Sequence, residues 1–498
     1  MKAIILAAGI GSRLRPITDK KPKTLVKVND RPMLDYLINN LVDNDIKDII
    51  ICTGFKSEQI VNFCKDKYSD INFSFVYNKD FDTTNNMYSL YLAKDHFNDD
   101  IILMNADLVY GSNIIKNLLK QKESAVAVDV GNYIEESMKI IVENNVIKGI
   151  SKKILEKDSY GSSIDVYKIN KIDWDTIKDE MKNIIEEKKD LNQWTEVMLN
   201  NLFQTGRLIA NPCNIKNEKW FEIDNYEDLA KAEIIFNYNI KNLKDKKIFF
   251  IDRDGTLTLG NNIIDGVIEF LDKLKNKNKI FYVLTNNSSK TAKEHLKKFN
   301  QIGFNLEEKN ILVSIKPTLK YLQEYKIKKV FWVANKIVSS HLINEGFIFD
   351  DENPQAVLLT YDNEINYKKL EKLTHFVRKG IPYYATHEDI VCPTVNGDIP
   401  DIGTFIKVVE MTTGILPNKI FGKPNRNFID PTLREHNLTY NDAVVIGDRL
   451  YTDIKMAENS DITSVLVLSG ETKREDYEDS RIRADIIVPN LKELNNLI

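Results

Sequence analysis

The sequence predicts an α/β fold in two successive domains, and three observations support this. Short apolar runs alternate with helical stretches through residues 1–235. A second alternation of the same kind begins at Lys247. A polar stretch rich in lysine and asparagine separates the two. Because apolar strands that alternate with helices favour parallel pairing, we expect each domain to contain a largely parallel sheet covered on both faces.

The individual elements follow from the apolar runs. In the first domain the predicted strands are Ala3–Ala8, Ile49–Thr53, Phe73–Tyr77, Ile101–Asn105 and Ala125–Val130, with helices at Met33–Asp43 and Met87–Asp95. In the second the predicted strands are Ile248–Ile251, Ile280–Leu284, Ala443–Ile446 and Ser464–Leu468. A helix over Asp224–Asn237, with Asp224 as its cap, is predicted to close the first domain.

These elements set the expected boundaries. We predict a first domain at 1–238, a linker at 239–246 and a second domain at 247–498. Between Leu284 and Phe421 lies an insertion of about a hundred residues, which is too long for a loop. It has its own predicted strands, Val330–Val333 and Ala356–Leu359, and a helix over Tyr367–Lys379. We therefore expect an inserted α/β cap at about 312–412.

Composition excludes several classes of partner. The chain has 498 residues, with 69 basic and 73 acidic side chains and a net charge of −4. This balance predicts neither a nucleic-acid nor a membrane partner, and no apolar stretch reaches membrane-spanning length. The four cysteines form no CxxC pair, which suits a reducing cytoplasm. The apolar start of the chain fits a buried first strand better than a signal peptide, since Arg13 and Arg15 follow it closely.

A glycine-containing turn follows the first predicted strand and is the first of two phosphate-handling motifs. It reads Leu6-Ala7-Ala8-Gly9-Ile10-Gly11-Ser12-Arg13-Leu14, with Pro22-Lys23 shortly after it. Glycines let backbone amides approach a triphosphate closely, and arginine offers a planar set of donors. The predicted nucleotide-binding residues are Leu6, Ala8, Gly9, Gly11, Ser12, Arg13 and Lys23.

Two later segments complete this pattern, Asn105-Ala106-Asp107 and Glu222-Ile223-Asp224. Together the three segments resemble the nucleotidyltransferases that activate sugar phosphates and related phosphomonoesters, a Rossmann-like family. The resemblance implies that Asp107 and Asp224 bind Mg²⁺, and that Arg13 and Lys23 are catalytic. An alternative is that Asp107 caps a strand end and Asp224 caps a helix. The implied reaction is in-line attack of an acceptor phosphate on the α-phosphate of a nucleoside triphosphate, with release of pyrophosphate.

The nucleotide and acceptor are suggested by a subtler match. Tyr77-Asn78-Lys79 and Asn85-Asn86-Met87-Tyr88-Ser89-Leu90 resemble segments of bacterial phosphocholine cytidylyltransferases. This resemblance implies CTP and a small headgroup phosphate, with Tyr88, Tyr160, Trp194 and Glu196 as the acceptor-binding candidates. Most such aromatics pack in cores, and the family's usual glycine is replaced by Asp165. The alternative is a sugar-1-phosphate enzyme that uses UTP or dTTP.

The second motif, Asp252-Arg253-Asp254-Gly255-Thr256, follows the apolar run Ile248–Ile251. Its spacing lets one carboxylate attack phosphorus while the other serves as general acid and base. The motif resembles that of the haloacid-dehalogenase phosphatases, whose further motifs appear in order. The resemblance implies a second Rossmann-like core in which Asp252 is the nucleophile and a metal ligand, Asp254 is the acid and base, and the Asp254 carbonyl is a further metal ligand.

The same resemblance assigns four more residues. Thr285 would bind the phosphoryl group, Lys423 would neutralise its charge, Asp448 would bind Mg²⁺ and Asp453 would orient the metal shell. The subfamily with a large α/β cap contains phosphatases of small metabolites such as phosphoglycolate, glycerol phosphate, pyridoxal phosphate and nucleotides. Two cap positions depart from its pattern. His387, expected to be exposed or hydrogen-bonded, stands where asparagine is usual, and Ala334-Asn335 replaces an expected glycine.

The two motifs together predict a bifunctional enzyme. It would combine CTP-dependent cytidylyl transfer to a small phosphorylated headgroup with Mg²⁺-dependent hydrolysis of a small phosphomonoester. Alternatives are that one half is a regulatory binding module, and that the second half transfers phosphate to an alcohol instead of water.

Overall fold

The computed structural model describes residues 1–237, 239–392 and 397–498, and divides into two compact units, Met1–Phe236 and Asn237–Ile498. The predicted end of the first domain, residue 238, lies outside the described residues, as do residues 393–396 of the expected cap. A short helix, Ile240–Leu243, lies within the predicted linker. No helix of the described residues is long and apolar enough to cross a lipid bilayer.

The first unit is built on a nine-stranded sheet. The strands of this unit are β1 (Lys2–Ala7), β2 (Lys27–Val28), β3 (Arg31–Pro32), β4 (Asp48–Thr53), β5 (Asn72–Tyr77), β6 (Ile101–Asn105), β7 (Leu108–Tyr110), β8 (Ser124–Val130), β9 (Lys139–Glu143), β10 (Val146–Ser151), β11 (Gly161–Ile169), β12 (Ala210–Asn214) and β13 (Trp220–Glu222). The main order is β10-β9-β11-β6-β1-β4-β5, with β8 and β12 joined through β11. Two-stranded pairs β2–β3 and β7–β13 lie outside it.

Helices cover both faces of this sheet. They are α1 (Ile17–Lys20), α2 (Met33–Val42), α3 (Ser57–Lys67), α4 (Asn86–Leu92), α5 (Asn113–Leu119), α6 (Trp174–Lys182), α7 (Thr195–Gln204) and α8 (Tyr226–Phe236). Alternate residues of β1 enter two different apolar clusters, with Ile4 in one and Ala3 and Ile5 in the other. Because successive strand residues point to opposite faces, both faces of the sheet are buried. The expectation of a sheet covered on both sides is confirmed.

The sheet is less parallel than the sequence indicated. β11 runs antiparallel to β6, β8 and β9, and β9 and β10 form an antiparallel hairpin. Strands β9, β10 and β11 have mixed polar and apolar sequences, so no long apolar run marks them. The pairing of β11 with β8 shifts register between Ser163 and Tyr167, which bends the strand beside the cavity described below.

The second unit contains a core sheet and a separate cap sheet. Its strands are β14 (Ile248–Asp252), β15 (Thr258–Leu259), β16 (Asn262–Ile263), β17 (Ile280–Thr285), β18 (Ile311–Val313), β19 (Lys329–Val333), β20 (Ile348–Phe349), β21 (Ala356–Leu359), β22 (Tyr383–Ala385), β23 (Val391–Cys392), β24 (Ile399–Pro400), β25 (Lys419–Ile420), β26 (Ala443–Gly447), β27 (Thr463–Val467) and β28 (Ile486–Val488). The core order is β18-β17-β14-β26-β27-β28, and every pair is parallel.

Helices again flank these sheets. They are α9 (Ile240–Leu243), α10 (Val267–Asn276), α11 (Ala292–Gln301), α12 (Ile315–Glu324), α13 (Lys336–Asn344), α14 (Tyr367–Arg378), α15 (Ile402–Thr413), α16 (Asp430–Glu435), α17 (Lys455–Ala457), α18 (Arg474–Asp479) and α19 (Leu491–Asn495).

The cap sheet has the parallel order β20-β19-β21-β22-β25 and lies within residues 329–420. The limits expected for the cap, about 312–412, therefore need correction at both ends. β18 pairs with β17 in the core sheet, while β25 pairs with β22 in the cap. Strands of two or three residues have too short an apolar signal to be assigned to either sheet from sequence.

We expect Phe250→Ala to destabilise the second unit. Phe250 is fully buried in β14, the third of six strands in the core sheet, and stacks on Tyr282 with ring centroids 6.0 Å apart. Removing a buried aromatic ring costs about 3–5 kcal/mol of unfolding free energy. Chemical denaturation followed by circular dichroism measures this loss. Tyr367→Ala is the matched control, since 82% of Tyr367 is exposed, and a similar loss there would contradict the assignment of the core.

Candidate functional site

The first site is a cavity of about 400 Å³ in the first unit. It lies at the carboxyl ends of β1 and β6, which are parallel neighbours. Its lining includes every residue predicted from the sequence to bind the nucleotide, namely Leu6, Ala8, Gly9, Gly11, Ser12, Arg13 and Lys23. Segments that are far apart in the chain therefore meet around one cavity.

The glycine-containing turn lies directly against Lys23. Gly11 has φ +68°, a backbone conformation that favours glycine, and its carbonyl accepts a hydrogen bond of 2.9 Å from the Thr18 hydroxyl. A Cβ atom added at Gly11 would lie 2.7 Å from the Cβ of Lys23. Only glycine therefore lets the turn and the lysine approach this closely.

Three carboxylates converge on one side of the cavity. Asp107 follows β6, and Glu222 and Asp224 come at and just after the end of β13. β13 pairs with β7, and the Ile223 amide donates 2.9 Å to the Asp107 carbonyl. Carboxylate oxygens of the three residues all lie within 4.8 Å of one another. This set has the oxygen ligands that Mg²⁺ prefers.

Lys23 is the central counter-charge of this group. Its Nζ lies 2.9 Å from Asp107 Oδ2 and 2.8 Å from Asp224 Oδ1, and Arg13 Nη2 lies 2.9 Å from Asp224 Oδ2. Burial would raise the pKa of Asp224, but Lys23 and Arg13 bring that pKa below its usual value. Burial and then the charges of Asp107 and Asp224 raise the pKa of Glu222 to about 7. Asp107 Oδ1 is buried and has no hydrogen-bond partner within the described residues, which fits a site for a cation.

Asp224 serves this group and not the following helix. The side-chain oxygen of Asn225 accepts 3.0 Å from the Asp228 amide at the start of α8, and the Asp224 carboxylate turns to Lys23 and Arg13. The expected helix cap at Asp224 is therefore wrong, because its neighbour fills that position. Glu222 was not singled out from the sequence, and its spacing of two residues from Asp224 is the signal that could have found it.

Two of the four residues that were predicted to bind the acceptor line the cavity. Trp194 and Glu196 line it, whereas Tyr88 and Tyr160 do not. Tyr88 packs against the apolar core, because α4 turns Asn86 and Ser89 toward the cavity at a spacing of three residues. Tyr160 lies before β11, where its amide pairs with the Ile140 carbonyl.

Three further lining residues were not among the predicted acceptor ligands: Asn86, Lys152 and Asp165. Asp165 has φ +56°, a backbone conformation that favours glycine, which is the residue that the resemblance led us to expect at this position.

The second site lies at the carboxyl edge of the core sheet in the second unit. Asp252 ends β14, Asp448 follows β26 and Asp453 lies in the turn Leu450–Ile454. β14 and β26 are parallel neighbours, so their ends meet. Carboxylate oxygens of the three aspartates lie within 4.8 Å of one another, and all three side chains are buried. The structure thus brings together three residues that the sequence predicted as metal ligands.

Lys423 neutralises part of this charge. Its Nζ contacts Asp252 Oδ1 closely and lies 2.7 Å from Asp453 Oδ1. Burial would lower the pKa of Lys423, but these two carboxylates raise it. Burial and the neighbouring aspartates raise the pKa of Asp448 to about 7, and burial and the charge of Asp252 raise that of Asp453 to about 6 although Lys423 lowers it.

Glycines make room around Asp448. A Cβ added at Gly255 or Gly470 would lie 2.2 Å or 2.0 Å from Asp448 Oδ2, which already accepts 2.7 Å from the Glu471 amide. Asp448 Oδ1 is buried and has no partner within the described residues. An unpaired buried oxygen next to two other carboxylates fits a divalent cation.

Thr285 and Asp254 complete the predicted set. The Thr285 hydroxyl is buried at the end of β17 and accepts 3.2 Å from the Asn287 amide. The Asp254 side chain is 62% exposed and is not one of the three aspartates whose oxygens lie within 4.8 Å of one another. Its exposure suits exchange of protons with solvent.

Asn286 was not among the site residues predicted from the sequence, and its side chain makes three hydrogen bonds. Its Oδ1 accepts 2.9 Å from the Lys423 amide, and its Nδ2 lies 3.2 Å from the Lys423 carbonyl and 3.0 Å from Asp389 Oδ2 in the cap. The amide therefore fixes the backbone that carries Lys423.

The two departures in the cap have structural roles. His387 is fully buried with Nε2 3.0 Å from Asp401 Oδ1, so the hydrogen-bonded alternative is confirmed and the exposed one is wrong. Asn335 caps α13 by accepting 3.0 Å from the Val338 amide, and it donates 2.9 Å to the Ser289 carbonyl. Both replacements therefore stabilise the cap and its junction with the core.

Three family models match the chain. The nucleotidyl transferase model covers residues 2–138, the haloacid dehalogenase-like hydrolase model covers residues 249–348, and a HAD-hydrolase-like model covers residues 420–494. The matched residues include Asp107 of the first acidic group and all three aspartates of the second, whereas Glu222 and Asp224 lie beyond the first model. The first unit therefore contains a nucleotidyl transferase domain, and the second is a haloacid dehalogenase-like hydrolase domain.

Similar proteins agree with this assignment of the second unit. An acid sugar phosphatase from Staphylococcus saprophyticus is 30% identical over 254 residues, which is 51% of this chain and 98% of the relative. The 5'-nucleotidase YutF of Bacillus subtilis is 28% identical over 252 residues, 50% of this chain and 98% of the relative. The crystal structure of a 4-nitrophenylphosphatase from Thermotoga maritima is 35% identical, with a TM-score of 0.50, and covers 51% of this chain and 98% of that one. Through its second half the chain belongs to the haloacid dehalogenase-like hydrolases.

We expect the metal-free second unit to lose stability as pH rises from about 4 to 7. Asp448 binds a proton in the folded state up to about pH 7, whereas an unfolded aspartate loses it near pH 4. The folded state therefore binds more protons in this window, and Asp448 by itself lowers the free energy of unfolding by at most about 1.4 kcal/mol per pH unit. Asp453, whose pKa is raised to about 6, adds to this slope.

Denaturation at several pH values in the presence of a chelator measures this slope. Asp448→Asn removes the titrating group and should flatten the slope, while Asp461→Asn, which changes an exposed aspartate of the same unit, should leave it unchanged. A slope that is identical in all three proteins would contradict the prediction.

Proposed function

We propose that this chain is a bifunctional enzyme whose first unit transfers a cytidylyl group from CTP to a small phosphomonoester or phosphonate headgroup, and whose second unit is a Mg²⁺-dependent phosphatase acting through an aspartyl-phosphate. The arrangement that carries the first part is the meeting of the glycine turn, Arg13, Lys23 and three carboxylates around one cavity. The arrangement that carries the second is Asp252 beside Lys423, Asp448 and Asp453.

In the first reaction an oxygen of the acceptor's phosphate attacks the α-phosphorus of CTP, and pyrophosphate leaves. The amides of the glycine turn bind the phosphates, and Arg13 and Lys23 stabilise the negative charge that develops. Asp107, Glu222 and Asp224 would hold Mg²⁺, which adds positive charge next to the reacting phosphate. Lys23 contacts two of these carboxylates, so its ammonium group is placed to leave them and contact a phosphate of the bound nucleotide.

A small headgroup acceptor is supported by the lining of the cavity. The Asn85-Asn86 pair and Ser89, on which the resemblance to phosphocholine cytidylyltransferases depends, all line the cavity. Candidate acceptors are phosphocholine, phosphoethanolamine, 2-aminoethylphosphonate and glycerol phosphates.

In the second reaction a carboxylate oxygen of Asp252 attacks the phosphorus of a phosphomonoester, and the alcohol leaves with a proton from Asp254. Water that gives its proton to Asp254 then attacks the phosphorus, releasing phosphate and restoring Asp252. Thr285 and Lys423 bind the phosphoryl oxygens. Asp252, Asp448 and the Asp254 carbonyl would hold Mg²⁺, which offsets the charge between nucleophile and phosphate, while Asp453 positions Lys423.

A second candidate for the first unit is sugar-1-phosphate activation with UTP or dTTP. The observation that favours it is that curated relatives of the second half are acid sugar phosphatases, so a sugar phosphate could be the shared class of substrate. The relatives also include a 5'-nucleotidase, which is compatible with either candidate.

We expect pyrophosphate release with CTP and a small headgroup phosphate to exceed that of every other pair in a substrate screen. The screen crosses CTP, UTP, dTTP, ATP and GTP with phosphocholine, phosphoethanolamine, 2-aminoethylphosphonate, glycerol phosphates and glucose 1-phosphate, in the presence of Mg²⁺. The reason is that Asn85, Asn86 and Ser89, on which the resemblance to phosphocholine cytidylyltransferases depends, line the cavity. Turnover with UTP or dTTP and glucose 1-phosphate alone would replace the headgroup assignment with the sugar one.

We expect Asp252→Asn and Asp107→Ala each to remove one activity and spare the other. Asp252→Asn deletes the nucleophile and should lower phosphate release at least about a thousandfold while pyrophosphate release stays within about twofold. Asp107→Ala removes a predicted metal ligand and should have the opposite pattern. Each variant is the folding control of the other. An unchanged activity in either case would show that the altered unit is a binding module.

A further inference from the structure

The acceptor side of the first cavity contains a second, separate pair of carboxyl groups. Asp165 lies at the register shift of β11, and Glu196 lies in the first turn of α7 and is only 2% exposed. The Tyr167 hydroxyl lies between them, 2.7 Å from Glu196 Oε1 and 3.0 Å from Asp165 Oδ1. Both carboxyl groups line the cavity. Among the described residues, no ion pair joins them to Lys23, which pairs with Asp107 and Asp224.

Neither carboxyl group has a cation bonded to it among the described ion pairs. Asp165 accepts from Asn105 Nδ2 at 3.2 Å and Ser163 Oγ at 3.3 Å, and these are neutral donors. A buried carboxylate with only neutral partners is costly to keep ionised. Burial, followed by the charges of neighbouring carboxylates, raises the pKa of Asp165 well above its usual value. A cation that enters the cavity would remove this cost.

The lining favours a cation with N–H donors over a quaternary ammonium ion. The aromatic residues among the lining are Trp194 and Phe81. Lys152 Nζ already lies 5.1 Å from the Trp194 ring, and Phe81 packs on Phe55 with centroids 6.1 Å apart. The aromatic enclosure that binds methylated ammonium is therefore incomplete. Carboxylate oxygens instead accept hydrogen bonds from a protonated primary amine.

We propose that Asp165 and Glu196 form a subsite that binds the primary ammonium group of the acceptor, so that the preferred acceptor class is an aminoalkyl phosphate or phosphonate. The inference rests on the proposed cytidylyl transfer and names the acceptor more narrowly. Asp165 is the specificity-determining residue, because its carboxylate lines the cavity and accepts hydrogen bonds from neutral donors. Tyr167 is a positioning residue that holds both carboxyl groups in place.

The test compares matched acceptors that differ in one group. Pyrophosphate release by the full chain with CTP and Mg²⁺ is measured with phosphoethanolamine, 2-hydroxyethyl phosphate and phosphocholine. The wild-type protein should prefer phosphoethanolamine over 2-hydroxyethyl phosphate by at least about a hundredfold in kcat/KM, because a site built for N–H donors rejects analogues that lack them. Phosphocholine should also be the poorer acceptor.

Variants assign this preference to the carboxylate. Asp165→Asn should reduce it at least about tenfold, mainly through KM for phosphoethanolamine. Asp165→Gly, which suits the φ of +56°, provides a second variant if the first folds poorly. Asp158→Asn changes an exposed aspartate outside the cavity and should keep the full preference.

The outcomes separate the subsite from the proposed reaction. An equal rate with phosphoethanolamine and 2-hydroxyethyl phosphate, or a preference that survives both Asp165 variants, would overturn the subsite while cytidylyl transfer stands. Equal use of phosphocholine would overturn the requirement for N–H donors. If no headgroup gives pyrophosphate, the proposed transfer fails, and calorimetric titration of phosphoethanolamine into the protein with CTP decides the subsite. Binding that is lost in Asp165→Asn supports it, and no binding to the wild-type protein overturns it.

Discussion

Each unit depends on one lysine held between two carboxylates. Lys23 joins Asp107 to Asp224, and Lys423 joins Asp252 to Asp453. Carboxylates that are collected at the end of a parallel sheet repel one another, and burial makes this repulsion stronger. The lysine offsets this repulsion but does not pair with every carboxylate oxygen. Asp107 and Asp448 each keep a buried oxygen without a hydrogen-bond partner among the described residues. The ion pairs of the lysine therefore lower the cost of burying the carboxylates, and the unpaired oxygens remain free to bind a cation.

Much of this arrangement could be predicted from sequence because it depends on strand ends. Apolar strands such as those that precede Asp107 and Asp252 are visible as short runs, and the carboxyl ends of parallel neighbours meet by necessity. The glycine turn was recognisable because its spacing to Lys23 reflects a close approach that only glycine allows. Local patterns thus specify those parts of a site that one strand end or one turn supplies.

The remaining features depend on contacts that no local pattern encodes. The antiparallel strand β11 pairs with partners from three places in the chain, and its mixed sequence concealed it. Tyr88 was expected in the cavity, but helix α4 turns it into the core, since a residue's side of a helix depends on where the helix packs. Asn286 and Glu222 were overlooked because their importance comes from partners distant in sequence.

The bonds of Asn286 link the cap to the geometry of the core. One carboxamide group meets the backbone on both sides of Lys423 and also reaches Asp389 on the cap loop. A movement of the cap loop that carries Asp389 away releases one of the restraints on that carboxamide. The orientation of Lys423, which contacts Asp252, is then no longer independent of the position of the cap loop. A displacement of one hydrogen-bond partner in the cap would thus reach the charge balance at the end of β14.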